Sequence, residues 1–212
     1  MGLLFWIAII VIPLWAYFAY QFLSTGRLAP LLSPSFKIGD LPALNGKLCI
    51  VTGATSGIGR VTAVALAAKG ANVIATSRKS HSRGKGLEIA NDMQKEVGDM
   101  ASTLGSSPGD LVFMPLNLAS LSSVKSFGHE FAVAYNSSLD ILVLNAGVMH
   151  TDFGLTEDGF EMQRGTNHIG HFFLTKLLMD NLMQAPQARV VAVSSLAHMM
   201  GTPDIGTHTD VP

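Results

Sequence analysis

The 212-residue sequence predicts an α/β fold: a doubly wound sheet of parallel strands, preceded by an N-terminal transmembrane helix. Three observations predict it. From Lys47 onward, short apolar runs alternate with longer helical stretches. The strand-like runs lack polar alternation, as in sheets covered on both faces. All 14 basic and 15 acidic side chains lie from Arg27 onward, leaving an uncharged apolar start.

The first element is Leu3 to Leu23, LLFWIAIIVIPLWAYFAYQFL, with Gln21 its one strongly polar residue. Such a helix extends roughly 32 Å at 1.5 Å per residue, against about 30 Å of bilayer hydrocarbon. Its Leu, Ile, Val and Phe residues favour insertion by on the order of 5 kcal/mol. Pro13 is tolerable in a membrane helix, and Trp15, Tyr17 and Tyr20 sit towards one end, as interfacial aromatics do. The alternative is a cleaved signal peptide: Ser24-Thr25-Gly26 offers a small-residue cleavage site, but a basic n-region is lacking and the apolar run is too long. Arg27 and Lys37 place the following domain on the cytoplasmic side. Residues 24–45 contain three prolines, two glycines and three serines, the composition of a tether. The organisation is therefore an anchor over 1–26, a linker over 27–45 and a domain over 46–212.

Within the domain, strands are predicted at Leu48–Val51, Asn72–Thr76, Leu111–Leu116, Ile141–Leu144 and Arg189–Val193. Helices are predicted at Gly57–Lys69, Gly86–Leu104, Ser120–Ala134 and Phe160–Met183. Five strands separated by four helices require parallel pairing through right-handed crossovers. The charged fraction of 14% is low against about 25% in ordinary chains. With a net charge of −1, it argues against nucleic acid as a partner. The single cysteine, Cys49, cannot form an internal disulfide and reads as a buried thiol in a reducing compartment.

Directly after the first strand comes Thr52-Gly53-Ala54-Thr55-Ser56-Gly57-Ile58-Gly59, and a helix follows. Gly53 permits a tight turn, Gly57 lets the backbone approach a pyrophosphate, and Gly59 permits close packing of helix on strand. The helix N-terminus then offers N–H groups and partial positive charge to phosphates. After the second strand the sequence reads Ser77-Arg78-Lys79 without an acid. An acid there would bind the ribose hydroxyl of NAD, whereas arginine accommodates the 2′-phosphate of NADP, so NADP(H) is expected.

The Gly-x-x-x-Gly-x-Gly spacing resembles the short-chain dehydrogenase/reductase family. Asn145-Ala146-Gly147 is similar to that family's Asn-Ala-Gly motif. The segments Leu118–Val124, Asn167–Phe172 and Arg189–His198 resemble its retinol dehydrogenase-like branch. The resemblance covers about residues 45–205. It implies a Rossmann-type fold and cofactor contacts from Gly53, Thr55, Ser56, Gly57, Ile58, Gly59, Arg78, Asn117, Asn145, Ala146 and Gly147. Asn117 stands where the family has aspartate near the adenine. Ser195 matches the serine that hydrogen-bonds the substrate oxygen, and Asn167 the asparagine that orders a proton-relay water.

The family's tyrosine and the lysine four residues later have no counterpart. Tyr17, Tyr20 and Tyr135 are not followed by such a lysine, and none occurs after Lys176. The expectation is thus an incomplete domain, from a truncated gene model, fragment or splice product, with the fifth strand an uncovered sheet edge. His168 and His171 are three apart on a helix, but no acidic or cysteine partner completes a metal site. The resemblance implies a single-pass endoplasmic-reticulum enzyme acting on a small lipophilic alcohol or carbonyl, and a homo-oligomer if completed. The alternatives are a catalytically silent nucleotide-binding or interaction fragment, and an inert misfolded product.

Overall fold

Five strands form in the predicted chain order: β1 (Leu48–Val51), β2 (Asn72–Ser77), β3 (Leu111–Pro115), β4 (Ile141–Leu144) and β5 (Arg189–Ala192). The computed structural model describes residues 36–78, 84–135 and 137–195. Every pairing is parallel, and the strand order is β3-β2-β1-β4-β5. The order reverses beside β1: β2 and β3 build outwards on one side, then the chain returns to lay β4 on the other. At such a reversal the loops leaving the strands' carboxyl ends diverge and open a crevice.

Helices α1 (Gly57–Ala68), α2 (Gly84–Leu104) and α3 (Leu121–Ala134) lie within two residues of prediction. Ser120 caps α3, its hydroxyl accepting the Ser123 N–H. The fourth helix differs from the single span expected over 160–183. It divides into α4 (Met162–Arg164), a π-turn (Gly165–Ile169), α5 (Gly170–Leu177) and α6 (Met179–Gln184). Phe160 is held instead in a hairpin, its carbonyl accepting the Thr156 N–H and its own N–H donating to Thr156 Oγ1. Glu161 then caps α4, accepting the Gln163 and Arg164 N–H groups at 2.9 and 2.7 Å. Gly165 and Gly170 lie against Thr156 and the Leu118 carbonyl, too close for any larger residue.

Both sheet faces are covered, which is why the strand runs are apolar throughout. Cys49, Val51, Val73 and Val143 pack with Ala63 and Val64 of α1 and Met93 and Val97 of α2. Ile50, Ile74 and Leu142 face the other way, against Phe127 and Phe131 of α3 and Leu174 of α5. Each large apolar side chain fully withdrawn from water contributes about 1.5–3 kcal/mol. The four β5 residues, by contrast, are all exposed. At the amino end of the sheet, buried Asp140 accepts Lys47 Nζ at 2.8 Å and the Leu48 N–H at 2.9 Å.

Burial, and secondarily the Asp140 carboxylate, push the Cys49 thiol up to about 12. The thiolate is the reactive form, so native Cys49 should resist iodoacetamide at pH 8. Its alkylation should accelerate only across the denaturant range that unfolds the sheet; rapid modification of native protein would contradict this burial.

The chain divides into two units, Met1–Leu41 and Pro42–Pro212. In the first, the described residues form a single 310 turn, Ile38–Asp40. The predicted membrane segment 3–23, Lys79 and residues 196–212 lie outside the described residues. Among the described residues no helix is long and apolar enough to cross a membrane.

Candidate functional site

The crevice at the sheet reversal is built from the β1–α1 loop. Gly53 has φ +65°, and a Cβ there would stand 2.9 Å from Ala146 Cα. Gly57 has φ +55° and open space where its Cβ would be, a cradle that any larger side chain would fill. Gly59 is a contact of another kind: a Cβ would collide with the Gly53 carbonyl and the Asn145 amide. The Ser56 side chain makes no capping bond, so it does not occupy the N-terminus of α1.

A cavity of about 310 Å3 opens here. Gly53, Thr55, Ser56, Arg78, Asn117, Asn145, Ala146 and Gly147 line it. The structure thus brings together eight of the eleven expected cofactor contacts. Gly57, Ile58 and Gly59 do not line it; Ile58 is 68% exposed. Asn117 is set by a local turn, its N–H donated to Ser123 Oγ at 3.0 Å and its Oδ1 accepting the Ala119 N–H at 3.2 Å.

A second cavity of about 690 Å3 shares the wall Asn145–Val148 with the first and contains Asn167, His171, Phe172 and Ser195. Both volumes fall in the range of about 300–1,000 Å3 usual for ligand sites. Ser195 lies just beyond β5, exposed at the cavity wall. Asn167 sits in the π-turn, an element frequent at functional sites. Its side chain clamps the loop after β4, with Oδ1 accepting the Val148 N–H and Nδ2 donating to the Val148 carbonyl, both at 2.8 Å. Asn167 therefore positions that loop through its side chain.

Two residues with no role in the sequence-level site join the cavities. Thr52, fully buried, accepts the Asn145 and Ala146 N–H groups on Oγ1 at 2.9 Å each. The same Oγ1 lies 2.9 Å from His171 Nε2, while His171 Nδ1 meets the Asn167 carbonyl at 2.9 Å. Thr52 and His171 are 119 positions apart, so no local pattern signals the contact; a polar residue at the end of an otherwise apolar strand is the one available hint. Among the described residues no group of three or more His, Cys, Asp or Glu side chains gathers as a metal site.

Burial holds the His171 pKa below its ordinary 6.5, outweighing the opposing bond to the Asn167 carbonyl, and His168 adds to the lowering. A neutral histidine in the fold and a protonatable one in the unfolded chain give a definite sign. The His171 contribution is complete above about pH 6.5 and is lost as pH falls below it. Urea midpoints measured from pH 7.5 to pH 5 should decline less in His171→Gln than in the parent; identical slopes would refute the assignment.

The short chain dehydrogenase family model matches residues 47–207. The chain belongs to that family. Among family relatives, it is 42% identical to mouse retinol dehydrogenase 14 over 167 residues, covering 77% of this chain and 48% of that protein. It is 40% identical to mouse polyprenol dehydrogenase over 178 residues, covering 82% and 49%. The chain spans about half the length of these curated relatives. A solved protein of Mycobacterium paratuberculosis matches with TM-score 0.56 and 38% identity, over 78% of this chain and 52% of that one. A metagenomic short-chain oxidoreductase solved with NADP shares the fold, with TM-score 0.56 and 24% identity over 73% and 65%. Relatives 39–42% identical to the chain include several retinol dehydrogenases.

Proposed function

We propose that this is a membrane-anchored, NADP(H)-dependent oxidoreductase that interconverts a lipophilic alcohol and its carbonyl. One observation carries the cofactor choice: Arg78 follows β2 at the wall of the glycine-loop cavity, and among the described residues no carboxylate lines that cavity. A guanidinium fork there pairs with a 2′-phosphate, which a ribose hydroxyl alone would not require. The cradle over Gly57 and the N-terminus of α1 receive the pyrophosphate. Asn117 faces the adenine end, and Asn145, Ala146 and Gly147 the nicotinamide ribose. The bound cofactor supplies or accepts the hydride.

Ser195 donates to the substrate oxygen from the second cavity, while Asn167 fixes the loop beneath it. Met149 and Phe172, 75% and 66% exposed, give that cavity an apolar mouth suited to a lipophilic substrate. The apolar segment 3–23 holds the domain at the bilayer, on the cytoplasmic face of the endoplasmic reticulum, where such substrates dissolve. Retinol and retinal turnover assays test the reaction.

The cofactor assignment is tested by fluorescence titration of the full chain with NADPH and NADH. Arg78→Glu should weaken NADPH by about 10–30-fold, the effect of losing a charge-assisted pair at an exposed site, and NADH by less than about threefold. Equal losses would remove the 2′-phosphate reading, and an unmodified chain that binds neither nucleotide would remove the whole proposal.

A further inference from the structure

The Thr52–His171 contact admits one arrangement of protons. A threonine hydroxyl offers one hydrogen and two lone pairs. Both lone pairs of Thr52 Oγ1 take main-chain N–H groups, from Asn145 and Ala146. Its hydrogen must then go to His171 Nε2, 2.9 Å away, which has to be unprotonated. Nδ1 consequently carries the ring hydrogen and donates it to the Asn167 carbonyl, which can only accept. Any other tautomer sets two lone pairs facing each other across Nδ1 and the carbonyl. An imidazolium would aim a second N–H at an oxygen whose lone pairs are already filled. His171 is 5% exposed, so water does not repair either mismatch.

This chain of four bonds runs between the two cavities. It starts on the wall they share, Asn145 and Ala146, passes through the end of β1, and ends on the backbone of Asn167. We propose that His171 is a positioning residue that, as a neutral Nδ1–H imidazole, locks the π-turn carrying Asn167 to the cofactor loops at Thr52 and Asn145. The inference rests on the reading of the first cavity as a cofactor site. It goes further by giving the two cavities a common register: the π-turn cannot shift without moving the wall against which the nicotinamide end lies.

The test uses the full chain labelled with 15N-histidine. A long-range proton–nitrogen spectrum at pH 7.5 should show one ring in the neutral Nδ1–H form, and that signal should vanish in His171→Gln. An Nε2–H ring or an imidazolium at His171 would overturn the proposal without any variant having to fold. In His171→Phe and His171→Gln, amide exchange at Asn145 and Ala146 should rise about tenfold more than at Ile50 and Leu142, the equivalent of one net hydrogen bond. NADPH affinity should fall about tenfold in His171→Phe and less in His171→Gln, since an amide can restore one of the two links. Exchange rising uniformly, or NADPH binding equal to that of the parent, would overturn the positioning role. A parent chain with the Nδ1–H ring and coupled exchange, but no NADPH binding, would uphold the link and refute the cofactor site instead.

Discussion

Replacing Thr52 by valine should lower the unfolding free energy by about 2–4 kcal/mol, although the two side chains have nearly the same shape. The methyl that valine puts in place of the hydroxyl leaves the Asn145 and Ala146 N–H groups and His171 Nε2 facing hydrocarbon. Each orphaned group costs about 1–3 kcal/mol when buried, and the two N–H groups are only partly so, which sets the middle of the range. Thr52→Ser retains the hydroxyl and gives up one methyl, so its cost should stay at about 0.5–1.5 kcal/mol, the value of a small truncation. Urea denaturation followed by circular dichroism distinguishes them. A valine variant as stable as the serine variant would mean that the hub bonds contribute nothing net.

Gly59→Ala and Gly98→Ala are the same chemical change in helices α1 and α2, and they should move stability in opposite directions. Helix propensity alone favours alanine by about 1 kcal/mol at both positions. At Gly98 nothing lies within 4 Å of the added carbon, so that preference should appear as a gain. At Gly59 the added carbon runs into the Gly53 carbonyl and the Asn145 amide. The loop must give way at backbone atoms that are themselves fixed: Gly53 by its approach to Ala146, and Asn145 by its bond to the Thr52 carbonyl at 2.9 Å. Overpacking of this kind costs about 1–3 kcal/mol and outweighs the propensity gain. Thermal unfolding should therefore show Gly98→Ala above the parent and Gly59→Ala below it, with NADPH binding weakened only in the latter. Two shifts of the same sign would show that the loop yields freely.

Strand positions were legible because their cause is local. LCIV and ILVL, buried on both faces, admit little else, and the observed β1 and β4 match the predicted bounds. Helix α3 was equally readable from its Ser120 cap. The fourth helix was not, because its interruptions arise from contacts made elsewhere. Phe160 has the apolar character of a helix residue, yet Thr156 holds it in a hairpin. Asn167 lies at the second cavity, but its engagement with Val148 depends on how the β4 loop folds back. The glycine loop divides the same way. Its turn and its open cradle follow from spacing, whereas the obstruction facing Gly59 comes from Asn145, 86 positions further along.

The strand order also fixes a sequence of assembly. Strands β1, β2 and β3 are neighbours in both chain and sheet, so their pairing closes loops of modest length. Cys49 meets Ile141 only across most of the domain, and topologically distant pairs of this kind form late. During vectorial synthesis the first three strands can associate while β4 is still inside the ribosome. The shared wall of the two cavities, hung from Thr52 by Asn145 and Ala146, comes into being only after β4 has been threaded in beside β1. A nascent chain thus possesses its glycine loop long before it possesses the wall that completes either cavity.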